Sequence, residues 1–140
     1  DTAIPDVFRV GTEANIVDFN QADNGLLGIV AQGGRKFSIK ESYLQKDGLL
    51  KASVEFAKEE PLGELTSEHD ALVSVLQDLM QHPLIQQLNP SIRLKEARSV
   101  SYRLADLLPM EPEIKQTLLQ MNGSKERLTE LSRLVRKFSQ

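Results

Sequence analysis

The sequence predicts an α+β fold: an antiparallel, barrel-like sheet followed by a C-terminal helical bundle. Two observations carry this. Apolar and polar residues alternate up to Phe56, whereas beyond Ser67 the apolar residues recur at helical spacing. Between the two patterns lies "EEPLGEL" (Glu59–Leu65), where Pro61 and Gly63 break both periods. Residues 1–62 are therefore assigned to the sheet subdomain and 63–140 to the helical one.

The strand half is read in order. "LLGIVAQ" (Leu26–Gln32) is apolar on both faces and predicts a strand buried on both sides, with Gly28 marking a bulge or a close approach. In the next segment Phe37, Ile39 and Tyr43 fall on one face, and Lys36, Ser38, Lys40 and Ser42 on the other. Lys46-Asp47-Gly48 turns this strand into a second one, whose dry face is Leu50, Ala52, Val54 and Phe56 and whose wet face is Lys51, Ser53 and Glu55. The glycines Gly25, Gly33 and Gly34 raise the question of a phosphate cradle. Such a loop opens a helix, whose free N–H groups meet the anion. Here strand patterns follow Asp23-Asn24-Gly25 and Gly33-Gly34 alike, and neither matches a dinucleotide or phosphate-loop spacing. Both are read as turns between strands.

The helical half opens with Ser67 and Asp70 in a capping-box spacing, ahead of Leu72, Val75, Leu76, Leu79 and Met80. Pro83 ends or kinks that helix, and "HPLIQQLNP" (82–90) reads as a short helical turn. A second stripe, Leu94, Ala97, Ser101, Leu104, Ala105 and Leu108, stops at Pro109. A third helix, within 110–121, has proline in its first turn and carries Ile114, Leu118, Leu119 and Met121. Asn122-Gly123 stops it, and Ser124 caps a last helix that buries Leu128, Leu131, Leu134, Val135 and Phe138. Its cations Arg133, Arg136 and Lys137 sit where the helix dipole favours them.

Composition excludes several chemistries. The absence of cysteine rules out disulfides and thiolate metal sites. His69 and His82 fall at element ends, with no carboxylate ligand pattern and no nearby nucleophile, so neither metal nor cofactor is expected and neither is read as a general base. Glu59-Glu60 and Glu111/Glu113 flank prolines in polar stretches and are read as solvated loop or first-turn carboxylates. No apolar run is long enough to span a membrane, and the first ten residues have neither the basic start nor the apolar run of a signal peptide, which fits a cytoplasmic protein. The net charge of −3 argues against nucleic acid as partner, although Arg35, Lys36 and Lys40 form a local basic cluster.

Two blocks resemble a known family. The first runs from Val10 to Ile39 and places Val10, Gly11 and Thr12, the apolar Ile16, the turn Asn24-Gly25, then Gly33, Arg35 and Ile39 in the order of that family's run of Val-Gly-Thr, apolar strand, turn, apolar strand, then Gly, Arg and an aliphatic strand. The second is Leu104-Ala105-Asp106, Lys115, Gln116 and Leu119, then Glu126-Arg127-Leu128. Together they are similar to the substrate-binding domain found at the N-terminus of Lon proteases and in stand-alone relatives. The family domain opens with a Pro-Leu-Phe-Pro-Leu type strand and a Phe-Pro-Gly that this sequence does not contain, so the barrel is expected to be incomplete at its N-terminus. The resemblance implies a PUA-like barrel and a non-catalytic module that recognises unfolded or exposed apolar polypeptide segments, alone or beside Lon-type ATPase and protease domains. No phosphate-loop motif and no Ser–Lys nucleophile setting occur here, so the chain itself is not expected to be an enzyme. The contact residues expected are Phe56, Leu84 and Ile85, at the joint between the halves. Two alternatives remain open: RNA or modified-nucleobase binding by a PUA-like barrel, and an enzyme whose site lies partly in the missing N-terminal segment.

Overall fold

Two glycine turns build the sheet. The computed structural model describes residues 4–88 and 90–138; Asn89, inside the expected helical turn, and Ser139 and Gln140, at the end of the helical half, lie outside them. Strand β1 (Val10–Gln21) turns back through Asp23-Asn24-Gly25 into β2 (Leu27–Leu44), and β2 turns through Lys46-Asp47-Gly48 into β3 (Leu50–Phe56). Gly25 and Gly48 adopt φ of 83° and 86°, a region that costs a residue with a Cβ. Beside each glycine an Asx side chain fixes the turn: Asn24 Oδ1 accepts from Leu26 N, and Asp47 Oδ1 from Leu49 N. The sheet is antiparallel in the order β1-β2-β3.

Several expectations for this half are corrected. Gly33-Gly34 is not a turn but lies inside β2, beside a register shift between Thr12 and Ala14 of β1. A Cβ on Gly34 would stand 2.6 Å from Glu13 Oε1, so the missing side chain of Gly34 makes room for the β1 carboxylate beside the bulge. The β1–β2 pairing shifts again between Ile16 and Asp18, and in the β2–β3 pairing a shift between Ile39 and Glu41 moves Tyr43 opposite Lys51 and so off the Phe37–Ile39 face onto the polar one. "LLGIVAQ" is not buried on both sides: Leu26, Leu27, Ile29 and Val30 are all exposed, as are Val54 and Phe56 on the expected dry face of β3. The reason is architectural, since the three strands form a single layer, and a layer alone cannot dry either face. At Gly28 the close approach comes from Asn20, whose Oδ1 stands 2.7 Å from the place a Cβ would take.

The chain divides into two compact units, residues 1–59 and 60–140. Glu60, Pro61 and Leu62, assigned with the sheet by sequence, belong to the second unit. That unit contains α1 (Asp70–Met80), α2 (Pro83–Leu88), α3 (Ala97–Leu107), α4 (Pro112–Gln120) and α5 (Ser124–Phe138). Every fully buried apolar residue among those described belongs to it: Leu72 and Leu76 of α1, Val100 and Leu104 of α3, Leu118 of α4, and Leu128, Leu131 and Leu134 of α5 lead the core. The helical periods thus place the core as predicted, apart from Phe138, which is exposed at the last turn of α5. The first cap shifts by one residue. Thr66 rather than Ser67 is the cap of a 3-10 turn (Ser67–His69) that leads into α1. Its side chain accepts from Glu68 N, while His69 Nδ1 accepts from Thr66 N. Ser124, expected as a cap, is the first residue of α5, a one-residue difference of the kind helix ends show.

Candidate polypeptide-binding surface

Cross-strand pairing sorts the side chains of the β1–β2 hairpin. Residues opposite one another in an antiparallel pair share a face, and residues two apart along a strand do too. Ile16 lies opposite Ala31, Phe19 opposite Ile29, and Gln21 opposite Leu27, so Ile16, Phe19, Leu27 and Ile29 form one apolar row. All four are open to solvent, from 55% exposed at Ile29 to 70% at Phe19. The opposite face carries Asp18 and Asn20, with Gly28 and Val30 across from them. The sequence reading missed this row as a surface. Its signal was the doubly apolar run Leu26–Val30, taken there as a sign of burial.

Of the three expected contact residues, two come together. Leu84 and Ile85 lie on the single turn of α2, which His82 starts by accepting from Leu84 N at its Nδ1, 3.2 Å away. Leu84 is 64% exposed and Ile85 half-buried, and Leu88, one turn further on, is 73% exposed. Leu84 and Leu88, four residues apart, share one helix face, so α2 presents an apolar pair. Phe56 belongs to the sheet unit. It ends β3 opposite Phe37, is 41% exposed, and has the Arg35 guanidinium 3.5 Å above its ring.

The same Arg35 decides how much basic surface the sheet offers. Its Nε and Nη2 donate to the two oxygens of Glu13, at 3.3 and 3.1 Å. Lys40 pairs with Glu55 at 2.8 Å. The bonded guanidinium holds the Glu13 carboxyl below the usual range, and the Lys40 hydrogen bond does the same for Glu55. Arg35 and Lys40, which kept a nucleic-acid reading open, are therefore already matched by carboxylates. Beside them a groove of about 390 Å³ runs between residues 4–9 and β2, lined among others by Ile4, Val7, Arg9, Ile39 and Lys40.

A cluster in the helical unit corrects another expectation. Glu60, read as a solvated loop carboxylate, is 8% exposed and pairs with Arg127 of α5, which is fully buried. A guanidinium has five N–H donors, and here all five are used. Nη1 and Nη2 donate to Oε1 and Oε2 of Glu60 at 3.1 and 2.9 Å, Nη1 also to Ser101 Oγ, Nε to Leu118 O, and Nη2 to Met121 O. The Tyr102 ring lies 3.8 Å from the guanidinium carbon, and its hydroxyl donates to Glu60 Oε2. Burial, together with that hydrogen bond to the carboxylate, pushes the Tyr102 hydroxyl's pKa upward. All the donors of Arg127 are satisfied within the cluster. Among the described residues no group of His, Asp and Glu side chains converges as a metal site would require.

Comparison with known proteins agrees with this architecture. A family model described as the ATP-dependent protease La (LON) substrate-binding domain matches residues 1–137. A Lon protease of Flavobacterium johnsoniae is 27% identical over 142 residues, which cover 96% of this chain but 17% of that protein. The crystal structure of a Lon N-terminal domain protein from Xanthomonas campestris superposes with a TM-score of 0.74 at 30% identity, covering 90% of this chain and 68% of that one. The N-terminal domain of a Mycobacterium avium complex Lon protease shares the fold, with a TM-score of 0.60 at 22% identity over 92% of this chain and 71% of that one. The three-stranded antiparallel sheet, the five helices and the match along nearly the whole chain show that it belongs to the family of Lon protease substrate-binding domains.

Proposed function

We propose that this chain is a non-catalytic recognition module that holds unfolded polypeptides by their apolar segments. Membership of a substrate-binding domain family carries the proposal. Two surfaces support it: the hairpin row Ile16, Phe19, Leu27 and Ile29, and Leu84 with Ile85 and Leu88 on α2. Phe56, at the end of β3, pairs with Phe37 on the other face of the sheet and is a separate candidate contact. An extended chain offers side chains at alternating positions, and an open apolar strand row matches that repeat. Contiguous exposed apolar surface is uncommon on proteins that bind nothing. We read the sheet as part of a PUA-like barrel, supported by its long, twice-shifted hairpin. In a longer protein the module serves a linked or associated Lon-type ATPase and protease, and the chain itself turns over neither ATP nor peptide.

The test is a titration of a fluorescently labelled, reduced and carboxymethylated model protein with the full chain and two double variants. Phe19→Ser with Leu27→Ser removes the hairpin row, and Leu84→Ser with Leu88→Ser removes the α2 pair. Each substituted side chain is exposed, so the circular dichroism melt should stay unchanged. Either variant is expected to weaken binding about tenfold, the equivalent of ~1.4 kcal/mol. Parent-like affinity in both would reject these surfaces.

A further inference from the structure

Residues 60–65 contain no helix, yet they supply what α3 lacks. The first N–H groups of a helix have no partner within it, and Glu96, at the start of α3, makes no side-chain cap. Two strap carbonyls take that place: Ala97 N donates to Gly63 O at 3.4 Å, and Arg98 N to Leu62 O at 2.9 Å. Glu64 forms a lone bridge with Glu96. Arg98 Nη1 donates to Glu60 O at 2.6 Å. At the other end of the same residue, the Glu60 carboxylate enters the Arg127 cluster. Gly63 makes the bend possible. Its φ is 70°, and a Cβ there would stand 3.0 Å from the Ala97 Cβ and 3.1 Å from Ser124 Oγ.

The strap is held mainly by polar ties. Pro61, Leu62 and Glu64 are exposed, the Glu60 side chain is buried, and Leu65 at the far end packs, partly buried, against the helical core. Ahead of Leu65 the strongest attachment is the buried ion pair. Removing one partner of such a pair leaves an uncompensated charge and is far more damaging than losing a surface pair. Arg127 links the strap to more than α3, because its remaining donors close the Leu118 and Met121 carbonyls at the end of α4.

We propose that residues 60–65 form a strap, latched by Glu60 to Arg127, that opens and closes as one piece and whose seating caps α3. The start of α3 is then a separate cooperative element, released without unfolding of the Leu104 core. The strap is a conformational device of the helical unit and is independent of what the protein binds.

Native-state hydrogen exchange on the full chain tests it, with denaturant raised in small steps. In the parent, the Ala97 and Arg98 amides should open together, at a lower free energy than the Leu104 amide. Glu60→Gln should speed exchange at those two amides at least tenfold and leave the amides pairing β2 with β3 unchanged. Gly63→Ala strains the bend without touching the ion pair, and it should accelerate the same two amides. Should either variant fail to fold, the parent measurement alone decides. Opening of Ala97 and Arg98 only with the Leu104 core overturns the strap, as does protection at those amides that Glu60→Gln leaves untouched.

Discussion

Glu13 and Arg35 show how little an exposed pair contributes and how clearly it can still be read. Glu13 is bonded by Nε and Nη2 of Arg35, Glu55 by Lys40 and Glu130 by Arg133, and each carboxyl is held below its ordinary value. A carboxyl whose value is lower folded than unfolded adds stability above the unfolded value, ~4.3 for Glu, and loses it as the pH falls through the folded value. The midpoint of thermal unfolding, followed by circular dichroism, should therefore stay level from about pH 7 to about pH 5 and decline below about pH 4.3. A rise on acidification over that last interval would contradict the assignment. The decline should be shallow, because solvent screens exposed pairs. Arg127 is the opposite case. Arg127→Met strands Glu60 and should cost about 3–5 kcal/mol, measured by urea unfolding. Arg127→Lys should restore little, since an ammonium has three donors where five acceptor contacts wait. Glu60→Leu combined with Arg127→Met should recover most of the loss, because an apolar pair of similar size leaves no charge behind.

At the scale of elements, the hairpin shows what alternation can and cannot reveal. Period two against period 3.6 distinguishes strands from helices, so β3, α1, α3 and α5 could be placed from their apolar spacing. Bulges erase that information one residue at a time, and nothing in the residues around Lys40 announces the shift that turns Tyr43 to the other face. Gly33-Gly34 reads as a turn because glycine is the usual turn residue. Here it serves a side chain from the neighbouring strand, which only the pairing register discloses. Exposure depends on how many layers a fold has, so a doubly apolar strand such as Leu27–Gln32 cannot by itself show whether it is covered. The Glu60–Arg127 pair spans 67 residues and leaves no local pattern at all. Among the proposed contact residues, Leu84 and Ile85 are legible as apolar residues beyond a helix break, whereas Leu27 lies in a doubly apolar run that reads as buried and Phe19 has no local signal. Gly34→Ala tests the bulge. Its Cβ would displace the Glu13 carboxylate, which is the end of a flexible chain, so stability should fall only slightly. The Glu13 carboxyl should meanwhile titrate nearer its ordinary value in a carbon-detected NMR titration. An unchanged Glu13 titration would mean that the carboxylate does not depend on the glycine.

For the whole molecule, charge and class give the last expectation. The net charge is −3 and the proposed anchors are aliphatic residues and phenylalanine, so neither steering nor counterion release has much to act on. Affinity for the unfolded model protein should change less than about threefold between 50 and 200 mM salt, whereas a nucleic-acid complex with several phosphate contacts would lose orders of magnitude over that interval. Running the same titration with a single-stranded RNA separates the two cases. The buried pair also has a bearing on heredity. A change that removes the charge at 60 or at 127 alone passes through a fold with a stranded interior charge, so the two positions should be inherited as one character. A saturation library of the gene, selected for soluble protein, should show each site intolerant when varied alone. When both are varied together, the survivors should be matched pairs, either acid with arginine or two apolar residues of similar bulk.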